Sequence, residues 1–136
     1  MIVLDTNIVL DALVFNDPAT QALKHALAAK RYQWIATPAM RDELERVLDY
    51  PKIAARRAFY ALSVADVLAL FDAQVQLRDV APKAAFNCTD PDDQKFIDLA
   101  VAHQTRLLSK DRAVLCMTKR LLSVGVSTSV ATNFVA

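Results

Sequence analysis

Glycine is nearly absent from this chain: the 136 residues include one glycine, five prolines and two cysteines. So little glycine leaves little room for a flexible linker, and the length predicts one domain spanning residues 1–136 around one core. Cys88 and Cys116 stand apart, without the spacing of a metal-binding pair and without a nearby histidine. We therefore expect both to be buried, reduced thiols.

Long apolar runs and a large net charge are missing as well. No run reaches the ~18 residues of a membrane span, and no charged region precedes an apolar one at the N-terminus. We therefore expect no membrane segment, no signal peptide and a cytoplasmic protein. The formal net charge of +1 excludes a strong overall field for polyanions, so any contact with nucleic acid must come from a local patch. Hydrophobic residues, by contrast, make up 54% of the chain, which predicts apolar surface for self-association.

The chain alternates short apolar runs with helical patterns. Ile2–Leu4, Trp34–Ala36 and Leu107–Leu108 are predicted strands, and weaker signals predict two more at Val75–Leu77 and Val126–Ser129. Parallel strands need crossover connections, which helices between strands supply. This order predicts an α/β fold, a three-layer α/β/α sandwich with a central, mostly parallel sheet of four to five strands.

Helices are predicted from apolar spacing and from capping residues. Lys52–Phe59 is a small basic patch, and Asp79–Asp90 has no period and should be a loop at the edge of the sheet. The predicted helices are Asn7–Val14, Ala19 to about Lys30, one from Thr37 ended by Tyr50 and Pro51, one from Ser63, one from Asp90, one between Val114 and Leu122, and a short one ending at Val135.

Acidic residues recur where strands end and the following helices begin. Asp5 ends the first strand, Glu43 lies in the second turn of the third helix, and Asp111 follows Leu108 closely. All such positions meet at one edge of a parallel sheet. Helical spacing at 100° per residue turns Glu43 inward. It turns both Asp92 and Asp93 inward too, and so leaves the choice between those two open.

Each of these acids could equally have an ordinary structural role. Asp5 and Asp111 could cap helices, Asp92 and Asp93 could favour the positive end of a helix dipole, and Glu43 could be a solvated surface acid. Together, however, four carboxylates at one edge would repel each other unless a cation neutralised them. Hard oxygen ligands suit Mg²⁺ or Mn²⁺, which acidifies a bound water and stabilises charge on a phosphoryl group.

Four blocks of the sequence resemble, in order and spacing, the signature blocks of PIN-domain proteins. They are LDTN at Leu4–Asn7, PAMRDELERVL at Pro38–Leu48, DPDDQKFIDLA at Asp90–Ala100 and LLSKD at Leu107–Asp111. The resemblance spans almost the whole chain and is greatest to the VapC-like branch, the toxin components of bacterial toxin-antitoxin pairs.

This resemblance implies a metal-dependent endoribonuclease with a compact α/β/α fold. It also selects Asp93 over Asp92 as the third acid. Carried over block by block, the implied catalytic and metal-binding residues are Asp5, Glu43, Asp93 and Asp111, holding one or two Mg²⁺ or Mn²⁺ ions, with Asn7 and Ser109 as polar supports.

The sequence thus leads to the hypothesis of a nuclease that hydrolyses phosphodiester bonds in single-stranded RNA. Lys95, Lys110 and Arg112 could hold phosphates or could be ordinary solvated surface. The resemblance further implies a small antitoxin partner that occludes the site, and a homodimer or higher oligomer. The alternative is a non-catalytic PIN-like module that binds protein or nucleic acid.

Overall fold

A parallel sheet forms the centre of the structure, a computed structural model that describes residues 1–131. Within that range the sheet has five strands in the order β3-β2-β1-β4-β5, and every neighbouring pair is parallel. The strands are β1 (Ile2–Leu4), β2 (Trp34–Ala36), β3 (Val75–Leu77), β4 (Arg106–Leu108) and β5 (Thr128–Ser129). The predicted α/β fold is confirmed, although β5 begins two residues later than expected.

β1 is the central strand because its side chains are apolar on both faces. Ile2 and Val3 are completely buried, and β1 pairs with β2 on one side and β4 on the other. In β2, the Trp34 ring packs edge-on against Phe71, with ring centroids 5.2 Å apart. A strand covered on both faces needs this unbroken apolar pattern.

Helices flank the sheet on both faces. Right-handed crossovers place the helices between β1 and β3 on one face and those after β3 on the other. The helices are α1 (Thr6–Leu13), α2 (Gln21–Ala28), α3 (Pro38–Val47), α4 (Pro51–Phe59), α5 (Val64–Gln74), α6 (Gln94–His103), α7 (Arg112–Leu115) and α8 (Thr118–Leu122), with short 3₁₀ turns at Pro18–Thr20 and Pro91–Asp93. None of these helices is long and apolar enough to cross a membrane.

The helix prediction was incomplete between residues 51 and 59. Pro51 does end the third helix as expected, but it also occupies the first position of α4, where a proline costs no hydrogen bond. The basic patch Lys52–Phe59 is therefore helical. None of the residues of α4 is fully buried, and its three basic residues, Lys52, Arg56 and Arg57, led to its interpretation as a surface patch and not as a helix.

The chain after Asp111 also differs from the prediction. The single helix expected between Val114 and Leu122 is divided into α7 and α8. The Thr118 hydroxyl donates to the Leu115 carbonyl at 2.6 Å, a side-chain bond that competes with continuous helix formation. The predicted final helix ending at Val135 lies outside the described residues.

The expectation of two buried cysteines was wrong for Cys116. Both thiols are free, but Cys116 is exposed and Cys88 is half-buried. Cys116 follows the last residue of α7, where the helix end faces solvent. Each thiol contacts the carbonyl oxygen of Ala113, at 3.3 Å from Cys116 and 3.4 Å from Cys88.

The chain adds strands first on one side of β1 and then on the other, and this change of side positions the site. The chain leaves β1 toward β2 on one side, whereas β4 lies on the other side and leads to β5. Connections that diverge in this way leave a crevice beyond the carboxyl ends of β1 and β4. Asp5 follows β1 directly, and Ser109 follows β4 directly.

Candidate metal centre

Asp5 is buried at the end of β1 and caps α1. One carboxylate oxygen, Oδ1, accepts a hydrogen bond from the backbone N–H of Asn7 at 3.1 Å. The other, Oδ2, accepts one from the Ser109 hydroxyl at 2.7 Å. Only 2% of Asp5 is exposed. The capping role and the site role therefore belong to the same carboxylate, whose direction is fixed by these two donors.

Asp111 is held in a similar way at the end of β4. Its Oδ1 caps α7 by accepting from the N–H of Ala113 at 2.9 Å. Its own N–H donates to the Ser109 hydroxyl oxygen at 3.0 Å. Ser109 is completely buried and thus joins Asp5 to Asp111 through one hydroxyl group.

A third element, the 3₁₀ turn before α6, positions Asp93, which is the last residue of that turn. Asp90 caps this turn by accepting from the N–H of Asp92 at 3.0 Å. Asp93 is buried, whereas Asp92 is exposed. Helical spacing had left the two residues equivalent. Both line the crevice in the structure, and Asp93 is the one that contributes an oxygen to the acidic cluster.

These three acids form a compact cluster. Asp5, Asp93 and Asp111 each contribute a carboxylate oxygen, and the three oxygens lie within 4.8 Å of one another. Asp93 Oδ2 is buried and has no hydrogen-bond partner within residues 1–131. A buried acceptor without a partner is costly, and a divalent cation among hard oxygen ligands would satisfy it. The residues present therefore fit a divalent cation.

The electrostatics of the cluster agree with this fit. Burial is the main reason that the pKa of Asp93 rises from 3.8 to about 8, and the adjacent carboxyl of Asp111 and the charge of Asp5 raise it further. Burial also raises the pKa of Asp5, although the hydrogen bond from Ser109 opposes this rise. The carboxylates thus repel one another, and a cation would relieve the repulsion.

Glu43, the fourth predicted acid, is turned toward the crevice but has a different partner. Its Oε2 lies 2.7 Å from the Lys95 ammonium, although within residues 1–131 this buried oxygen accepts no hydrogen bond. Glu43 is not among the three residues whose oxygens converge within 4.8 Å. The structure thus separates the four predicted acids into a cluster of three and an ion pair.

The whole arrangement matches a known family. The family model described as PIN domain matches residues 1–113, a range that includes all four acids. The chain belongs to the PIN domain family.

A solved structure agrees with the fold of this PIN domain, while no curated protein matches its sequence. One similar chain comes from the crystal structure of VapBC2 from Rickettsia felis bound to a DNA fragment from their promoter. The two chains are 18% identical and superpose with a TM-score of 0.61, over 94% of this chain and 98% of the other. At this identity the likeness shows the shared fold.

A cleft of about 250 Å³ surrounds the acids of this PIN domain. Asn7 lines it, and the Asn7 backbone holds Asp5. The other lining residues outside the acids are Thr6, Leu10, Val47, Tyr50 and Ile53. α1, α3 and α4 therefore supply the walls, and the acids lie at the centre.

Two of the predicted phosphate-binding residues are engaged with acids. Lys95 pairs with Glu43, and the Lys110 ammonium lies 2.8 Å and 3.0 Å from the two carboxylate oxygens of Asp11. Arg112 is exposed at the start of α7. The phosphate-binding role of these three residues stays a prediction.

Sequence reasoning missed one partner in these ion pairs, Asp11, and the pairing of Lys95 with Glu43. Asp11 is buried on α1 and was not singled out, although an acid within an apolar helix is a signal of a buried partner. The pairing of Lys95 with Glu43 joins α6 to α3, elements far apart in the chain, and nothing in the local sequence of either helix predicts it.

Without a divalent cation, the free energy of unfolding should fall as the pH rises from about 4 to about 8. Folded Asp93 keeps its proton up to a pKa of about 8, whereas the unfolded chain releases it near 3.8, so higher pH favours unfolding across this window. Asp93→Asn should reduce the decrease in unfolding free energy across this pH range. Urea unfolding in the presence of a chelator, at several pH values, measures this pH dependence of the free energy of unfolding.

The exposed acid Asp42 on α3 provides the control, and Asp42→Asn should retain the dependence of the wild type. Asp5 contributes in the same direction because its pKa is also raised, so some slope should persist in Asp93→Asn. Equal slopes in the wild type and Asp93→Asn would contradict the electrostatic account of the cluster.

Proposed function

We propose that this PIN domain is a Mg²⁺- or Mn²⁺-dependent endoribonuclease that hydrolyses phosphodiester bonds in single-stranded RNA. The observation that supports this most strongly is the convergence of three carboxylate oxygens beside a buried Asp93 oxygen that has no partner among the described residues. Membership of the PIN family and the order of the acids along the chain support it as well. Such an enzyme would meet its RNA in the cytoplasm.

The residues of the cleft have distinct proposed roles. Asp5, Asp93 and Asp111 would hold the divalent cation, which when bound supplies charge to polarise a phosphoryl group and to acidify a water molecule. Ser109 keeps Asp5 and Asp111 in fixed orientations through its hydroxyl group. Such supporting hydrogen bonds commonly matter 10–100-fold for metal affinity or activity.

The walls of the cleft favour an unpaired strand as the substrate. Tyr50 lines the cleft and is 49% exposed, so its ring offers a stacking surface for an unpaired base. Arg112, exposed next to Asp111, offers a charge to a neighbouring phosphate. Tyr50 would thus hold a base of the RNA strand and Arg112 a phosphate.

Cleavage of single-stranded RNA should require both Mn²⁺ and Asp5. Asp5→Asn keeps the shape of the side chain but removes a charged metal ligand, so we expect at least a ~100-fold loss of rate, in line with the loss of a metal ligand or its support. The assay compares the two proteins, purified identically, on a panel of mixed RNA sequences with Mn²⁺ or with chelator.

The exposed acid Asp42 again supplies the matched control, because Asp42→Asn should cut as the wild type does. Equal cleavage by the wild type and Asp5→Asn would point to a contaminating ribonuclease and contradict the proposed site. Absence of metal-dependent cleavage over the whole panel would favour the alternative, a non-catalytic module that binds protein or nucleic acid.

We also propose that this chain is the toxin of a toxin-antitoxin pair and that its antitoxin covers α4. Phe59 is 73% exposed and Tyr60 is 40% exposed, which is unusual for large apolar residues at the end of one helix. The same helix supplies Ile53 to the cleft, and Tyr50 precedes it. A protein bound along α4 would therefore also obstruct access to the acids.

Native mass spectrometry tests both parts of the partner proposal. Alone at high concentration, the chain should form a dimer or a larger oligomer, because other exposed apolar residues such as Leu77 and Val80 remain to be covered. Mixed with the protein encoded by the adjacent gene, it should form a complex that Phe59→Ser weakens and Leu122→Ser, on α8, does not.

A purely monomeric result for the chain alone would contradict self-association. Failure of the neighbouring protein to bind, or equal effects of the two serine substitutions, would contradict an antitoxin on α4.

A further inference from the structure

The ammonium of Lys95 has three partners, of which Glu43 and Asp92 line the cleft. It lies 2.7 Å from Glu43 Oε2, donates to the backbone carbonyl of Asp92, and stands 5.0 Å from the centroid of the Phe96 ring. The Lys95 side chain is 28% exposed and that of Glu43 is 16% exposed. A lysine with this many partners has lost the freedom that makes surface ion pairs weak.

The position of this ammonium relates directly to the acidic cluster. Lys95 lies two residues after Asp93, and Glu43 and Asp93 line the same cleft. Burial is the main cause of the raised pKa of Asp5, and the charge of Glu43 adds to it, so Glu43 lies within electrostatic reach of Asp5. A positive charge is therefore already present on the Glu43 side of the site.

Nucleases that use two divalent cations hold them about 3.5–4 Å apart, and shared carboxylates balance both charges. Here the fourth carboxylate already has a cation, which the chain itself supplies. The remaining three carboxylates converge on one point, and a single divalent cation would neutralise most of their charge. A second ion at Glu43 Oε2 would compete with this ammonium.

We propose that Lys95 takes the place of a second divalent cation, so that this PIN domain binds one ion, at Asp5, Asp93 and Asp111. Glu43 then acts as a positioning residue for the ammonium and does not bind metal directly. The inference rests on the metal site of the proposed function, but it concerns the number of ions and not the reaction. Lysine is suited to this role as a compact point charge with three donors.

Titration with Mn²⁺ alone, followed by the electron paramagnetic resonance signal of free Mn²⁺, counts the bound ions. The wild type should bind one. Lys95→Met keeps the apolar stem against Phe96 but frees Glu43, and it should bind two. Adding Glu43→Gln to Lys95→Met should restore one, because the second ion then lacks its carboxylate.

Two further variants serve as controls for charge and for folding. Lys95→Arg keeps the charge and should bind one ion, as should Lys119→Gln, which removes an exposed lysine on α8. Thermal unfolding of each variant in chelator verifies that it is folded. If Lys95→Met does not fold, the shorter Lys95→Gln replaces it with the same expected count of two.

The outcomes separate this inference from the proposed function. Two ions in the wild type would overturn the role of Lys95 and leave the nuclease proposal standing. One ion in both the wild type and Lys95→Met would also overturn it, because Lys95 would not be what excludes the second ion. No bound ion in the wild type would overturn the metal site and the inference together.

Discussion

The hydrogen bond from the Ser109 hydroxyl to Asp5 is the interaction on which the site depends. It joins the ends of β1 and β4, two adjacent strands. The chain adds β2 and β3 on one side of β1, and β4 and β5 on the other. The crevice opens there because the two connections diverge. The same hydroxyl accepts from the N–H of Asp111, so one buried serine sets the positions of two acids. Sheet topology and site geometry are thus linked through a single group.

The acids of the site also perform an ordinary structural task. Asp5 and Asp111 each cap the helix that follows, using one oxygen for a backbone N–H. Capping stabilises each helix and fixes the direction of its carboxylate. The cost is electrostatic: burial, then the hydrogen-bonded carboxyl of Asp111 and the charge of Asp5, raise the pKa of Asp93 to about 8. The strain of like charges is a property expected of a site that is completed by a cation.

Much of this structure could be predicted from the sequence, because strong local patterns determined it. The apolar run Ile2–Leu4 followed by an acid identified the central strand, and Thr37 with Pro38 marked the start of α3. Features that depend on tertiary contacts were harder. α4 has no fully buried residue and carries three basic ones, so it was interpreted as a surface patch. The choice of Asp93 over Asp92 depends on how the 3₁₀ turn meets the sheet. The pairing of Glu43 with Lys95 is likewise a contact between distant elements.

The central claim is that three acids converge to hold one divalent cation, and diffraction from crystals grown with Mn²⁺ tests it most directly. Anomalous scattering locates manganese without reference to activity. We predict one peak bounded by oxygens of Asp5, Asp93 and Asp111, with Lys95 still beside Glu43. A peak bound to Glu43 in place of Lys95, or no peak among the three clustered acids, would contradict the account.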